Sequence, residues 1–478
     1  MIYPDIKGLE FLHSLLTLEN EFQDLNGFFS WFDSKSRNDK FIVEEIPFDL
    51  LDNWYFEQET KNLRHSSGKF FSIEGINVNT NFGPRQKWEQ PIIIQPEIGI
   101  LGIITKKFSG IRYFLMQAKM EPGNINLVQL SPTVQATKSN YTKVHNGKLP
   151  QYLEYFTGSS KSKVLIDQLQ TEQGARFLKK RNRNMIVEVY DSIPVEEDFI
   201  WLTLGQIKSA LKMDNIVNMD SRSVLATIPF INIDYVPDHY NESPFYLDFL
   251  KNCAPQAKDI FESVICTDNS FLSFDQVLSW VTSMHTKYEL SVTRIPLCNV
   301  VDWSFNERSI KHDFDRFFSV IAVKAQAGNR EVYEWTQPLI KEINLGLIGF
   351  ITRKINGVMH FLVQAKVEPG CFDIIDLAPT VSCSNYLQRL NSSERPPFLE
   401  FFDKPVPKKV LLSTIQSEEG GRFYHFQNLN MIIRADEDVI GEVPDNFNWL
   451  TLAQIMKLLR FGLMNVESRS LLAAISLL

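Results

Sequence analysis

Phe114-Leu-Met-Gln-Ala-Lys119-Met-Glu121-Pro-Gly123 reappears as Phe361-Leu-Val-Gln-Ala-Lys366-Val-Glu368-Pro-Gly370, 247 residues further along the chain. The same displacement carries Trp88-Glu-Gln-Pro91 onto Trp335-Thr-Gln-Pro338 and Gly99-Ile-Leu-Gly102 onto Gly346-Leu-Ile-Gly349. A constant offset across motifs of different composition marks an internal duplication. The match continues with small gaps. Leu130-Ser-Pro-Thr-Val134 answers to Leu377-Ala-Pro-Thr-Val381, Gly174-Ala-Arg-Phe177 to Gly420-Gly-Arg-Phe423, and Ser221-Arg-Ser223 to Ser468-Arg-Ser470. Upstream, the stretch from His65 to Phe71 resembles His312 to Phe318.

Each copy shows one coarse anatomy. A helical region covers Phe11 to Phe32 in the first copy and Phe274 to Tyr288 in the second. β-rich runs Ile98–Thr105 and Tyr113–Met120 flank a polar turn and predict a hairpin. A helix is expected over Val164 to Phe177, and a strand over Met185–Val189. Thr203 with Gln206, and Thr451 with Gln454, have capping-box spacing, in which hydroxyl and amide satisfy the open backbone amides of a helix start. This order of elements predicts an α+β fold, with one α/β sandwich per repeat. The boundary falls in the Pro-bearing stretch Pro229 to Pro255, giving modules 1–235 and 236–478.

Composition narrows the class. The chain has 478 residues, 44% of them apolar, and a formal net charge of −8. Each half can bury its own core, and the acidic balance argues against a general nucleic-acid grip. The five cysteines all lie in the second half without Cys-x-x-Cys spacing, so neither a zinc knuckle nor a disulfide framework is expected. The first residues lack a signal-peptide pattern, and no apolar run reaches membrane-spanning length. A cytoplasmic protein that uses no membrane is the expectation.

Several catalytic signatures are missing: no Gly-x-Gly-x-x-Gly, no Walker loop and no His-Glu-x-x-His. Gln168-Leu-Gln-Thr-Glu172-Gln173-Gly174 looks like a Nudix box stripped of most carboxylates, too few to hold Mg²⁺ well. Strand alternation puts Gln117, Lys119 and Glu121 on one face, where they either line a pocket or form a structural pair. Leu130 to His145 gathers Thr133, Gln135, Ser139, Asn140, Tyr141, Lys143 and His145, groups able to hold sugar hydroxyls and relay protons. The basic turn Lys179-Lys-Arg181-Asn-Arg183 is either solvated or a diphosphate clamp. The second copy has no counterparts of His145, Arg181 and Arg183. That asymmetry assigns the chemistry to the first copy and a structural or accessory nucleotide-binding role to the second.

Arg64-His65-Ser-Ser-Gly68-Lys-Phe-Phe71, Gln117-Ala-Lys-Met-Glu-Pro-Gly-Asn124, Leu130-Ser-Pro-Thr-Val-Gln-Ala-Thr137, Ser139-Asn-Tyr-Thr-Lys-Val-His145, Arg181-Asn-Arg-Asn-Met185 and Asn215-Ile-Val-Asn-Met-Asp220-Ser-Arg222 together resemble the NDP-hexose 2,3-dehydratases. The resemblance covers nearly the whole chain. It implies a tandem Nudix-like fold, a homodimer, and a dTDP-4-keto-6-deoxyhexose substrate. It further implies loss of water across C2–C3 to a 3,4-diketo-2,6-dideoxy sugar, a lyase reaction whose product a partner 3-ketoreductase consumes. No metal and no redox cofactor are implied.

On that basis His65, Tyr141 and His145 become the acid–base candidates, and Lys119 the group that polarises the ketone. Arg181, Arg183 and Arg222 are candidates for the diphosphate. Arg64, Gln117, Glu121, Thr133, Gln135, Ser139 and Asn140 complete the expected binding set. Trp88 is read either as a core residue or as a stacking surface for the base. The competing readings are a Nudix-type hydrolase and a non-catalytic sugar-nucleotide-binding protein.

Overall fold

The computed structural model describes residues 6–19, 21–38, 41–138, 150–158, 161–229, 253–265, 268–327, 333–389, 394–436 and 440–477. Each repeat builds one seven-stranded sheet. In the first, Gly99–Phe108 lies at the centre, antiparallel to Ile111–Met120 and parallel to Arg181–Val189. In the second, Gly346–Ile355 is flanked in the same way by Val358–Lys366 and Gln427–Arg434. The hairpin expected from the period-two runs is present in both copies. So are both capping boxes, at Thr203 and Thr451.

Two features depart from the sequence reading. The stretch expected to be helical, Val164 to Phe177, forms the strand Ser162–Thr171, antiparallel to Arg181–Val189, and then a turn. A register shift between Val164 and Ile166 breaks the alternation that would have revealed it. The Nudix-like segment is therefore the end of a strand, and Glu172 is buried beside Asn182, whose amide donates to it over 2.7 Å. The first helical region is two helices, Ile6–Leu15 and Leu25–Asn38, and the second copy repeats the pair as Pro255–Ile265 and Phe274–Lys287.

The repeats are interlocked. The strand Ile42–Ile46 leaves the first repeat and pairs with Ser319–Gln326 of the second. Reciprocally, Leu290–Ile295 of the second pairs with Ser72–Thr80 of the first. The largest apolar core takes in Phe114, Leu202 and Leu225 from one copy and Phe361, Leu450 and Leu472 from the other. Two buried arginines cross the same boundary. Arg222 donates to the carbonyls of Val217 (2.6 Å) and Ser417 (2.5 Å) and to Ser470 Oγ (2.9 Å). Arg469 donates to Met464 O (2.8 Å), Ser223 Oγ (2.9 Å) and the Thr171 carbonyl. Among the described residues no helix is long and apolar enough to cross a membrane.

The Pro-Gly turns that end the repeated motif make the closest crossing. Gly123 N–H donates to Gly420 O (2.8 Å), and His425 N–H donates to Gly123 O (2.8 Å). Gly370 repeats this with Gly174 O (2.7 Å) and Lys179 N–H (2.9 Å). A Cβ on Gly123 would sit 1.7 Å from Phe423 O, and one on Gly370 1.7 Å from Phe177 O. Only glycine allows backbones this close.

Candidate active site

Because each Pro-Gly turn docks on the Gly-x-Arg-Phe turn of the other copy, each repeat's Lys–x–Glu strand end faces residues of its neighbour. The result is a pair of pseudosymmetric cavities, each lined by both copies.

The first, of about 410 Å³, receives Trp54, His65, Phe71, Lys119, Glu121, Gln135, Lys180 and Asp220 from the first repeat. The second repeat contributes Trp335, Thr336, Gln337, Glu419 and Arg422. The other cavity, of about 1030 Å³, reverses the roles: Lys366, Glu368, Glu467, Trp303 and His312 face Trp88, Gln90, Gln173 and Arg176.

The first cavity joins an aromatic wall to a charged floor. His65 packs against Trp54 (5.2 Å) and Phe70 (4.4 Å). Its Nδ1 accepts from the Ser67 amide (3.2 Å), so the neutral ring carries its proton on Nε2. Trp54 Nε1 donates to Thr336 O (3.1 Å), tying this wall to the second repeat. Glu121, buried, accepts from Gln135 through Oε1 (2.7 Å), while its Oε2 is buried with no hydrogen-bond partner among the described residues. Glu419 Oε1 and Glu121 Oε1 lie 3.3 and 3.8 Å from where a side chain on Gly421 would begin.

Burial and mutual repulsion govern this floor. Burial pushes Glu419 up to about 7; Arg422 opposes the rise, Glu172 and Glu121 add to it, and Lys180 opposes it. Asp220 is held well above the ordinary carboxylate value, first by burial and then by Glu419, Glu172 and Glu121. Burial lowers Lys180, with Glu172 and Glu419 pulling the other way. A carboxyl group that exchanges its proton near neutrality, beside cations and a ring-lined wall, suits proton transfer on a polar anionic ligand.

The profile of the NDP-hexose 2,3-dehydratases matches residues 25–228 and again 274–475. The chain belongs to the NDP-hexose 2,3-dehydratase family. It is 44% identical over 469 residues to a dTDP-4-dehydro-6-deoxy-alpha-D-glucopyranose 2,3-dehydratase of Saccharopolyspora spinosa, covering 97% of this chain and 94% of that one. An enzyme of the same name from Amycolatopsis orientalis is 44% identical over 455 residues, 94% of this chain and 89% of its own. A third, from Streptomyces violaceoruber, is 40% identical over 457 residues, 95% and 97% of the two chains.

Within this member of the dehydratase family, His65, Lys119, Glu121 and Gln135 meet in the first cavity. Ser139, Asn140, Tyr141 and His145 lie outside the described residues. The remaining expected residues sit elsewhere. Arg222 is the inter-repeat lock described above, because its guanidinium is used up on buried carbonyls. Arg183 is paired with Asp167 at the surface (2.7 and 2.6 Å), and Arg181 lies over the Phe372 ring (3.7 Å). Arg64 is engaged by Glu57 (2.9 Å) and Glu74 (3.3 Å). Thr133 accepts from Ile104 N–H (2.9 Å) and donates to Leu115 O, a structural bridge between strands. Gln117 is on the same strand as Lys119, paired on both sides, and does not line this cavity. Trp88 lines the opposite cavity, since the crossing hands each tryptophan to the other repeat's pocket.

Sequence reasoning missed Trp335, Glu419 and Arg422, all in the copy read as accessory. A signal for Arg422 was present: Gly-x-Arg-Phe is one of the repeated motifs. The cavities also differ in a way that singles out this arginine. Arg176 Nε donates to Glu342 (3.1 Å), but the matching partner of Arg422 is the neutral Gln95 (3.2 Å). Arg422 therefore keeps more of its charge for the cavity.

Proposed function

We propose that the first cavity dehydrates a dTDP-4-keto-6-deoxyglucose-type substrate across C2–C3, as a hydro-lyase. The carrying observation is that Lys119 and the Oε2 of buried Glu121, without a hydrogen-bond partner among the described residues, share one cavity with Arg422 and an aromatic wall. The dehydratase names of relatives matching nearly the whole chain support the same reading.

The C3 hydrogen is acidified by the C4 ketone. Lys119 polarises that ketone and holds the negative charge that develops on its oxygen, a preorganised electrostatic contribution. Glu121 Oε2 has an open lone pair to take the C3 proton. His65, with its neutral proton on Nε2, is better suited to donate to a substrate oxygen than to act as base. Trp335 and Trp54 offer ring surfaces to the nucleotide base, and Arg422 offers a fork to the diphosphate. Tyr141 and His145 remain candidate acid–base groups. Loss of the C2 hydroxyl leaves an enol that becomes the 3,4-diketone.

The same proposal includes a Nudix-like architecture for each module, 1–235 and 236–478, supported by the duplicated mixed sheet with flanking helices. It includes a homodimer in the cytoplasm and a partner 3-ketoreductase, a reductive step suited to an unstable diketone. The second cavity takes a structural or accessory nucleotide-binding role.

The test is incubation with dTDP-4-keto-6-deoxyglucose in deuterated water. The expected product has lost one water and gained solvent deuterium at C2. An unchanged mass in a sample that binds dTDP sinks the enzyme reading.

A further inference from the structure

The two cavities are built from equivalent elements, yet they differ at several charged positions, and two of these bear on proton transfer. The turn Gly-x-Arg-Phe is preceded by Glu419 in the second repeat and by Gln173 in the first, and each lines the other repeat's cavity. Lys180 of the first cavity is matched by Phe426 in the second, two residues before the equivalent Asn182 and Asn428. Lys–x–Glu and the buried acid of the following helix (Asp220 or Glu467) are present in both. A carboxylic acid can donate a proton to a leaving group and become a stable anion, whereas a primary amide cannot.

We infer that Glu419, delivered by the second repeat, is the acid that protonates the departing C2 hydroxyl in the first cavity. Its replacement by Gln173 leaves the second cavity without this acid. The inference rests on the dehydratase reading of the first cavity and adds the residue that divides chemistry between the two. Glu419 keeps part of its surface open to the cavity, and the unpartnered buried oxygen of Glu121 lies on the same floor.

The step balances as follows. Glu121 takes the C3 proton, and the C3–H electron pair moves into the enolate held by Lys119. The enolate then re-forms the C4 carbonyl as the C2–O bond breaks. The hydroxyl takes the Glu419 proton and leaves as water. Protons equilibrate through solvent as the enol gains hydrogen at C2, restoring both carboxyl groups. Glu419 is faced by Arg422 from its own turn, Glu121 and Lys119 from the first repeat's strand end, Asp220 from the helix start, and Glu172 and Lys180 from the neighbouring strand ends. Burial among these keeps it protonated to about 7. An acid must carry its proton to act, so kcat falls as pH rises through that value.

The experiment compares wild type, Glu419→Gln and Glu419→Asp on dTDP-4-keto-6-deoxyglucose, with dTDP binding measured by calorimetry. Glu419→Gln is expected to lower kcat by about 10²–10⁴-fold and to abolish the fall of kcat above neutrality, while dTDP still binds. Glu419→Asp, which keeps a carboxyl at this position, retains a titrating limb at reduced kcat. Wild-type kcat that stays flat from pH 6 to 9, or Glu419→Gln turnover close to wild type, overturns the inference while leaving the dehydratase reading intact. Failure of wild type to dehydrate overturns that reading instead.

Discussion

Gly123→Ala tests whether the crossing of the repeats assembles the first cavity. The added methyl would begin 1.7 Å from Phe423 O and 2.7 Å from Gly420 O, and both neighbours are backbone. Neither can rotate away, so the turns must separate by more than an ångström to reach ordinary contact. Separation breaks the Gly123–Gly420 and His425–Gly123 hydrogen bonds. A buried backbone group left unpaired costs roughly 1–3 kcal/mol, and overpacking costs a further ~1–3 kcal/mol, so a loss of about 2–6 kcal/mol is expected. The turn that moves carries Glu419 and Arg422. Displacing catalytic groups by ~1 Å can cost about 10²-fold in rate. Urea denaturation gives the first quantity, and kcat of the folded fraction on dTDP-4-keto-6-deoxyglucose gives the second. Gly441→Ala, where nothing among the described residues lies within 4 Å of the new carbon, serves as control. If Gly123→Ala matches that control in both stability and kcat, the docking argument is wrong.

A paired substitution tests the proposed role of Arg422 at the diphosphate. Arg422→Ala should raise KM and weaken dTDP binding by roughly 1.5–3 kcal/mol, the scale of a charge-assisted hydrogen bond, whereas Arg183→Ala, whose partner is surface Asp167, should bind dTDP as wild type does. Equal losses in calorimetry would return the diphosphate to the basic turn. Stability should also depend on Glu467, pushed by burial up to about 8 with Glu368 adding to the rise. A carboxyl whose folded pKa is raised favours folding below its ordinary value and loses that contribution as pH rises through the folded one. Glu467→Gln should therefore gain stability relative to wild type between pH 5 and 8 in urea titrations; parallel curves would contradict it.

Local patterns were legible because their causes are local. The duplication, the two hairpins and the capping boxes at Thr203 and Thr451 each depend on residues a few positions apart. Val164 to Phe177 was misread because a bulge disguised a period of two, and its pairing partner begins at Arg181. At the site, His65, Lys119, Glu121 and Gln135 could be picked out, since they sit in or beside repeated motifs on one repeat's own strands. Arg181, Arg183 and Arg222 could not be sorted from Arg422 by residue type. Only their partners distinguish them: Phe372, Asp167, Ser417 and Gln95 respectively.

By itself, the sequence determined that this chain is a doubled α+β unit with a Lys–x–Glu–Pro–Gly strand end in each half, and it pointed to the dehydratase family. It also contained the glycine at position 123, without saying what that glycine touches. Tertiary structure alone decided that the halves exchange strands, that each Pro-Gly turn docks on the opposite copy, and that Glu419, Arg422 and Trp335 serve the first cavity. The physical reason is range. Propensity, capping and alternation act over a few residues and are written along the chain, whereas backbone docking, buried charge and cavity walls depend on groups hundreds of residues apart that meet only when both cores are packed.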